Sequence, residues 1–394
     1  MTTVDTPSTA PDMSMTIRVT MMGPSRVGKT TLVTALLENA RELLAGNPVT
    51  IGPADPMTEN RIRQNEDELT GDLLAGEFRA GSLSGTESVN YYHMQITPDD
   101  VPGEGLAMTF MDFPGRLLTP SERATRAAEW AEILAFTRVS TALLIPIDAV
   151  VLMEARTKDQ HRAIPRLLGL GDVRTVAETW ATSRNTRRGE PATVIFCPVK
   201  CESYFTDQGG RGRDRSHELA RRVQEVHANV VDTIHREAGH AQLLYAPIDS
   251  IGCVELVDPH WTLIDGGKIL EPDPEFLVRP PGRRSVVGAK DVLIPLVSQA
   301  VNAARQSAEN LEKAARAEQE RRTEVNGLTF WDAASRFGFW TEVRDRMDGA
   351  TKRRKTLKEG ATVEAAAALR TLDAYDNVLA GISNRSFGPR VRTL

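Results

Sequence analysis

The sequence has few cysteines, few aromatic residues and no long apolar run. Its three cysteines, Cys197, Cys201 and Cys253, have neither the spacing of a zinc site nor the number of a disulfide framework. We therefore expect reduced thiols and a cytoplasmic protein. No uncharged apolar stretch approaches the length of about 18 residues that a membrane span needs. The net charge of −5 over 394 residues is small, so no nucleic acid partner is expected.

The length of 394 residues suffices for about two domains and a large core. Residues 1–14 are rich in Ser, Thr and Pro and have no apolar signal core, which predicts a disordered leader. The main domain is expected over 15–310, although 255–288 are rich in Pro and Gly and predict irregular structure. Residues 311–394 are expected to form a C-terminal helical region.

Short apolar runs alternate with helical patterns along the main domain. The runs at 141–150, 192–199 and 241–248 have the composition of buried strands. Such alternation predicts an α/β fold with a mainly parallel sheet that is covered on both faces. Two further segments, 88–96 and 106–113, are joined by a turn-rich connection and predict a hairpin that adds one antiparallel edge strand.

A phosphate-loop motif follows the first apolar run. Residues 17–22, IRVTMM, predict a buried strand, and TTLVTALLENARELL from Thr30 onwards has a helical spacing of leucines. Between them, GPSRVGKT matches G-x-x-x-x-G-K-[ST], whose glycines let backbone N–H groups turn towards phosphates. Lys29 would reach the β- and γ-phosphates, and the Thr30 hydroxyl would bind Mg²⁺. This context predicts a three-layer P-loop NTPase fold. The residues predicted to bind the phosphates are Gly23, Pro24, Ser25, Arg26, Val27, Gly28, Lys29, Thr30 and Thr31.

A second motif, Asp112-Phe-Pro-Gly115, lies at the end of the apolar strand LAMTFMDF. An acidic residue at this place is the natural partner for Mg²⁺, through a bound water, in a P-loop NTPase. The glycine is placed to donate its backbone N–H to a γ-phosphate. We therefore predict Asp112 as a metal residue and Gly115 as a nucleotide-binding residue.

A third motif gives the sequence a resemblance to a known class of proteins. Val199-Lys200-Cys201-Glu202 follows the apolar strand TVIFCP and resembles the [N/T]-K-x-D motif of the translation-factor-related (TRAFAC) class of P-loop GTPases. The resemblance implies that the Lys200 stem packs on a guanine and that Glu202 accepts hydrogen bonds from the guanine N–H groups. The sequence departs from the family pattern at two positions, because Val199 replaces a polar residue and Glu202 replaces an aspartate. Glutamate keeps the acceptor on a longer side chain, so guanine remains the implied base, and a surface Lys-Cys-Glu after a strand is the alternative.

The resemblance extends to the loop after the last apolar strand. There, Ser250-Ile251-Gly252 follows LLYAPID and resembles the last base-contacting loop of the class. The resemblance implies that Ser250 and Ile251 meet the guanine carbonyl, and an ordinary turn is the alternative.

The class also has a threonine that completes the Mg²⁺ and γ-phosphate shell just before the second strand of the sheet. The segment GSLSGTESVNYY offers Thr86 for this role, with Ser84 and Ser88 as competing candidates. The Mg²⁺ ligands implied in this way are Thr30, Thr86 and Asp112.

The sequence also resembles the YcjX-like and bacterial double-GTPase families. These families share an arginine in the phosphate loop and a D-[FY]-P-G-like second motif, and the order of motifs covers residues 15–310 of this sequence. Arg26 is the fourth residue of the loop, as in guanylate-binding proteins and atlastins, where it acts on the phosphates when two G domains meet. Arg116 stands where Ras-like members have a water-orienting Gln. Arg26 is therefore either a transition-state residue of a homodimer or a solvated arginine that only aids phosphate binding.

Two classes of function follow from these motifs. The first is a Mg²⁺-dependent GTPase that switches conformation with its nucleotide, with Arg26, Lys29 and Thr86 as catalytic residues. The second is a scaffold that binds nucleotide without hydrolysing it, which the missing Gln favours. An ATPase or nucleotide kinase is a further alternative, in which GGRGRDR (209–215) would serve as an arginine lid.

The C-terminal region has two distinctive segments, the aromatic-rich 327–340 and the basic 351–358. We favour packing of the aromatic segment on its neighbour over contact with a membrane surface, and we interpret the basic run as a solvated helix face. An effector protein is expected for a switch, but the sequence does not identify it.

Overall fold

The computed structural model describes residues 16–46, 49–74, 76–79, 86–99, 106–207, 213–264, 269–299, 301–302 and 387–394. In chain order the strands are β1 (Thr16–Met21), β2 (Val49–Pro53), β3 (Glu77–Arg79), β4 (Asn90–Pro98), β5 (Leu106–Asp112), β6 (Ala142–Asp148), β7 (Thr193–Val199), β8 (Gln242–Tyr245), β9 (Val254–Asp258), β10 (Trp261–Ile264), β11 (Ile269–Pro272), β12 (Glu275–Val278) and β13 (Arg392–Thr393). The helices are α1 (Lys29–Leu44), α2 (Pro56–Leu74), α3 (Pro120–Thr125), α4 (Ala127–Val139), α5 (Ala149–Met153), α6 (Lys158–Leu167), α7 (Leu170–Asn185), α8 (Ser216–Val226), α9 (Ala228–Glu237) and α10 (289–299). Two 3-10 turns lie at Gly115–Leu118 and Glu202–Tyr204.

A mixed sheet of eight strands forms the centre of this structure, in the order β13-β8-β7-β6-β1-β5-β4-β2. The strands from β8 to β5 in this order are mutually parallel. The prediction of a mainly parallel α/β sheet is therefore confirmed, and the arrangement is consistent with a P-loop NTPase fold.

The two borders of the sheet differ from the prediction. β4 pairs antiparallel with β5, as the predicted hairpin requires, but it is not an edge strand, because β2 adds antiparallel to it. At the opposite border, β13 pairs antiparallel with β8. β2 ends in Gly-Pro, a pair that is typical of a turn, and β13 has only two residues, so neither segment has a pattern that predicts a strand.

Helices cover both faces of the sheet. Every residue of β6 and β7 is buried, and successive side chains of a strand point to opposite faces. Leu144 packs in the apolar core that α1 and α10 cover, whereas its neighbour Leu143 packs in the core that α4, α7, α8 and α9 cover. The described structure therefore has three layers, with a separate apolar core on each side of the sheet.

The segment that was predicted to be irregular contains short strands. β9 and β12 form a three-stranded sheet with β3, in the order β3-β12-β9, and β10 pairs with β11. The prediction of irregular structure over 255–288 is wrong, because these strands of four or five residues are stabilised by pairing, partly with β3 about 200 positions earlier. Pairing over such a separation leaves no local signal in the sequence.

Residues 387–394 return to the main sheet and add β13 beside β8. The remainder of the expected C-terminal helical region, including 327–340 and 351–358, lies outside the described residues, as does the expected leader 1–14. Among the helices that are described, none combines the length and the apolar character that crossing a membrane requires.

The parallel strands bring the chemically notable residues to one edge of the sheet. β1 runs into the phosphate-loop motif, β5 ends at Asp112, β6 ends at Asp148, and β7 is followed by Lys200. The segment after β8 leads to Ser250 at the same edge. Carboxyl ends of parallel strands are where open α/β sheets bind ligands.

Candidate functional site

The loop between β1 and α1 has an unusual backbone. Arg26 has φ 61° and Gly28 has φ 100°, so both lie in the left-handed region that side chains other than glycine rarely adopt. Gly28 is the residue that precedes α1, and it offers no side-chain oxygen to the first turn of the helix. The free N–H groups at this helix start, together with the helix dipole, suit an anion.

The side chain of Lys29 folds back onto the backbone of this loop. It is buried, with 5% of the residue exposed, and Nζ donates to the carbonyl oxygens of Gly23 at 3.0 Å and Pro24 at 2.9 Å. Burial lowers the pKa of Lys29, and the nearby Asp112 carboxylate opposes this shift. The loop carbonyls therefore hold the desolvated ammonium group of Lys29 at a position from which it can bind a phosphate.

Three oxygen-bearing side chains meet beside Lys29. The hydroxyls of Thr30 and Thr86 each donate to Asp112 Oδ2 at 2.9 Å, and the two hydroxyl oxygens are 2.9 Å apart. We call these three residues the oxygen cluster. They are the three residues that the sequence interpretation assigned to the metal, and the structure brings them together. Ser88 is exposed outside the cluster, and Ser84 lies outside the described residues.

Asp112 is fully buried, and its second carboxylate oxygen, Oδ1, has no hydrogen-bond partner among the described residues. Burial raises the pKa of Asp112, and Lys29 and the two threonine hydroxyls oppose the shift. Hydroxyl and carboxylate oxygens are the ligand types that Mg²⁺ prefers, so the orphaned oxygen and the two hydroxyls fit this ion. No group of three or more His, Cys, Asp or Glu side chains that could hold a metal occurs in the described part of the chain.

Gly115 lies against the backbone of the phosphate loop. A Cβ atom at this position would be 2.1 Å from Ser25 N and 2.2 Å from the carbonyl carbon of Pro24, so only glycine fits. The next residue, Arg116, is exposed on the cleft wall, and its Nη2 donates to the backbone oxygen of Glu87 at 3.3 Å. The D-F-P-G motif therefore connects the loop to the segment that carries Thr86.

Lys200 ties the end of β7 to the same loop. Its Nζ donates to Arg26 O at 3.0 Å and lies 2.5 Å from Asp148 Oδ2, and its own φ is 56°. Asp148 also caps α5 by accepting from the N–H groups of Val150 and Val151. Sequence reasoning identified Lys200 but missed Asp148, although an acid at the end of an apolar strand was a visible signal.

Glu202 does not line the cleft, contrary to the expectation from the resemblance. The residue is 1% exposed, and its Oε1 accepts from the backbone N–H groups of Ile251 at 3.2 Å and Gly252 at 3.3 Å. Burial, with a further contribution from Asp249, raises the pKa of Glu202 to about 7. Glu202 is the first residue of a 3-10 turn, and its carboxylate is held in the interior by the two backbone N–H groups of the 250–252 loop.

Most backbone groups of the loop at 250–252 are hydrogen-bonded to residues outside the loop. The oxygen of Ser250 accepts from Arg284 Nε at 2.9 Å, and that of Gly252 accepts from Arg279 Nη2 at 2.6 Å. Ile251 O accepts from Ser285 N at 2.9 Å. With the two N–H groups on Glu202, the loop is preorganised, and Ser250 and Ile251 face the cleft.

These elements enclose a cleft with a volume of about 330 Å³, which is within the range of small-molecule sites. Sequence reasoning missed part of its wall, because it comes from α2 and β3, where no motif marks the residues. Leu69 and Phe78 are buried there in one apolar cluster with Ile251. The predicted residues on the wall are Ser25, Arg26, Val27, Gly28, Lys29, Thr30, Thr31, Thr86, Gly115, Lys200, Ser250 and Ile251. Arg116 and Val199, which the sequence analysis noted without assigning them to the site, also line it, and the missed residues are Asn65, Glu68, Leu69, Phe78 and Glu87. Gly23 and Pro24 lie behind the wall as the acceptors of Lys29.

Comparison with known proteins gives a weak likeness. No protein-family model matches the sequence, and no curated protein matches it, so membership of the YcjX-like or double-GTPase families stays a prediction. Among solved structures, the chain is similar to the GTPase-like domain of S. cerevisiae Ski7 bound to GTP, with 14% sequence identity and a TM-score of 0.29. That match covers 59% of this chain and 42% of the other.

Proposed function

We propose that the protein binds GTP with Mg²⁺, hydrolyses it to GDP and phosphate, and acts as a nucleotide-controlled switch. The observation that carries the proposal is the meeting of Thr30, Thr86 and Asp112 within 2.9 Å contacts beside the buried Lys29. The three side chains come from a helix start, a loop and a strand end that are far apart in sequence. Packing alone gives no reason for a buried carboxylate oxygen without a partner.

The phosphates would lie on the loop between β1 and α1. Its inward N–H groups and the uncapped start of α1 neutralise negative charge. Lys29 exchanges the carbonyl oxygens of Gly23 and Pro24 for phosphate oxygens, which form stronger, charge-assisted hydrogen bonds. Gly115 would donate its N–H from the adjoining backbone.

The oxygen cluster would hold the metal ion. Thr30 and Thr86 offer hydroxyl oxygens, and Asp112 offers a carboxylate through water. An Mg²⁺ ion held by these oxygens would neutralise negative charge that develops on the phosphates during phosphoryl transfer. Because Thr86 reaches the cluster from a loop, a metal ion and γ-phosphate bound there would hold that loop in place, and its release after hydrolysis is the basis of the proposed switch.

The base would lie between Lys200 and the 250–252 loop. Lys200 is held in place by Arg26 O and Asp148, and its stem offers an apolar surface for a ring. Guanine is proposed from the resemblance of the 199–202 and 250–252 motifs. In this arrangement Glu202 supports guanine recognition from behind, by fixing the N–H groups of Ile251 and Gly252.

Hydrolysis needs a group that stabilises the transition state, since Arg116 occupies the place of the usual Gln. Arg26 is exposed at the cleft wall with a left-handed backbone, so its side chain is free to reach the phosphates. We propose that the protein forms a homodimer through its G domains, and that the second copy positions Arg26 on the γ-phosphate. Exclusion of water at the dimer interface would strengthen the interaction between the guanidinium group and the phosphate. An arginine in this role contributes about 10³ to 10⁵ in rate.

A scaffold that binds nucleotide without hydrolysis is the second candidate, and the exposed position of Arg26 at the cleft wall is compatible with it. The kinase alternative loses support, because Arg215 of the proposed lid is paired with Glu154 and Glu218, each at 2.9 Å. Residues 209–212 of that lid lie outside the described residues.

The test is to titrate the protein with labelled GTP, GDP and ATP in Mg²⁺ and then to follow phosphate release. Lys29→Ala should weaken GTP binding by about 1.5–3 kcal/mol, which is about tenfold to hundredfold in affinity. Lys158→Ala changes an exposed lysine at the start of α6 and is the matched control. Unchanged GTP affinity in Lys29→Ala would refute the phosphate-binding role of the loop.

A further inference from the structure

Residues 387–394 do more than extend the sheet. β13 pairs with β8, with Arg392 opposite Tyr245 and Thr393 opposite Leu244. The segment is also fixed at its start, because Gly388 N donates to Asp291 Oδ1 at 2.8 Å. Between these two attachments lies Arg390, whose side chain turns inward.

Arg390 is a buried arginine, with 7% of the residue exposed. Its guanidinium group donates from Nε to Asp207 Oδ2 at 2.9 Å and from Nη2 to Asp249 Oδ2 at 2.8 Å. A second bond from Nη2 reaches Asp207 Oδ1. The planar group lies over the ring of Phe205, 3.9 Å from its centroid. Arg390 therefore bridges two carboxylates and packs on an aromatic ring at the same time.

Both carboxylates belong to the segments that form the proposed base site. Asp249 directly precedes Ser250 on the cleft wall, and Asp207 follows the turn that begins at Glu202. Asp249 Oδ1 accepts from the Cys201 thiol, with the two atoms 3.3 Å apart. One guanidinium group thus joins the segment after Lys200 to the segment that carries Ser250.

The charge balance makes this bridge necessary. Asp249 is fully buried and Glu202 is 1% exposed, so two carboxylates lie in the interior behind the base site. The other arginines nearby, Arg279 and Arg284, are bonded to backbone oxygens of the 250–252 loop. In the described part of the chain Arg390 is the cation that pairs with Asp249, and without it a buried carboxylate would lose this pairing, which strongly disfavours the native arrangement.

We infer that Arg390 is a positioning residue for the base, and that through it the 387–394 segment sets the affinity of the cleft for the nucleoside part of its ligand. This inference rests on the proposed nucleotide binding. Among the described residues, the hydrogen bonds, ion pairs and ring contact of Arg390 involve Asp207, Asp249 and Phe205 and not the phosphate loop or the oxygen cluster, so we expect binding of the triphosphate part to depend little on it. The segment therefore acts on one end of the cleft only.

The experiment compares GTP with inorganic tripolyphosphate, both with Mg²⁺, by calorimetric titration. The variant is Arg390→Met, which keeps the apolar stem and removes the guanidinium group. Arg392→Ala is the matched control, because Arg392 lies in the same segment but bonds to His217 at the surface. We expect Arg390→Met to weaken GTP binding by at least about tenfold, with tripolyphosphate binding within about twofold of wild type and the control unchanged for both ligands.

Two outcomes would overturn the inference: GTP affinity that is unchanged in Arg390→Met, or equal losses for GTP and tripolyphosphate. If Arg390→Met does not fold, the double variant Asp249→Asn/Arg390→Met takes its place in the test, because Asp249→Asn removes the buried carboxylate charge that Arg390→Met leaves unpaired. A double variant that binds GTP like wild type would likewise contradict the role of Arg390. Wild-type protein that binds neither ligand would instead overturn the proposed function, and the inference with it.

Discussion

Replacing Gly115 by alanine tests the contact between the D-F-P-G motif and the phosphate loop. The new Cβ atom would lie 2.1 Å from Ser25 N, about 1.3 Å less than the 3.4 Å at which ordinary contact begins. Its neighbours are backbone atoms of Pro24 and Ser25, which cannot rotate away. The two backbones must therefore separate by about 1 Å, at the point where the γ-phosphate would bind.

The expected effect follows from that displacement. A shift of about 1 Å in a group that positions substrate can lower a rate by about 10²-fold, so GTP hydrolysis by Gly115→Ala should fall by this factor. GDP lacks the γ-phosphate, so its affinity should change much less. The strain should also lower the free energy of unfolding by about 1–3 kcal/mol.

The assay is phosphate release under single-turnover conditions, with GDP affinity and denaturant unfolding measured on the same preparations. Gly171→Ala is the control, because a Cβ at Gly171 in α7 would have no neighbour within 4 Å. Wild-type hydrolysis and stability in Gly115→Ala would refute the close approach of the two backbones. A parallel loss of GDP affinity would refute its restriction to the γ-phosphate.

Three further predictions follow from the same site. Arg26→Ala should lower turnover much more than GTP affinity, and Arg26→Lys should restore little of that turnover because lysine lacks the planar guanidinium group. Wild-type specific activity should rise with protein concentration, and a flat specific activity over a hundredfold range of concentration would contradict the dimer. Glu202→Ala leaves the N–H groups of Ile251 and Gly252 without their acceptor, so the ratio of GTP to ATP affinity should fall; equal affinity of wild-type protein for GTP and ATP would contradict the guanine preference. Burial raises the pKa of Glu202 from 4.5 to about 7, so the stability that Glu202 contributes is present below about pH 4.5 and is lost as the pH rises through 7, with a slope of at most about 1.4 kcal/mol per pH unit. In denaturant unfolding between about pH 5 and 7.5, Glu202→Gln should therefore show a flatter dependence of the unfolding free energy on pH than wild type. An identical pH dependence in the variant would show that Glu202 does not titrate in this range.

The parts that sequence reasoning could predict are those with a local pattern. The parallel strands β6 and β7 are apolar runs buried on both faces, and a strand, a glycine-rich turn and a helix in succession marked the loop at 23–30. Thr86, proposed from the class resemblance and its position before a strand, lies in the oxygen cluster.

The parts that could not be predicted depend on contacts between distant segments. β3 pairs with β12, and Phe78 reaches the cleft through that pairing. Whether Glu202 faces the cleft or the interior depends on the backbone of the turn that carries it, since one more methylene than aspartate suffices for either direction. Arg390 contacts Asp249 across 141 positions, and a single arginine near the end of a sequence carries no signal of such a contact.

The most direct test of the central claim is the Mg²⁺ dependence of phosphate release from GTP in wild type and Thr30→Val, which removes one hydroxyl of the oxygen cluster with little change of shape. Thr175→Val is the control, because this exposed helical threonine bonds only to its own helix, at Gly171 O. Wild type and control should release phosphate with Mg²⁺ and stop when the ion is chelated, whereas Thr30→Val should be slowed by about tenfold or more and should need more Mg²⁺. Release that persists under chelation, or a Thr30→Val variant with wild-type Mg²⁺ dependence, would contradict the central claim.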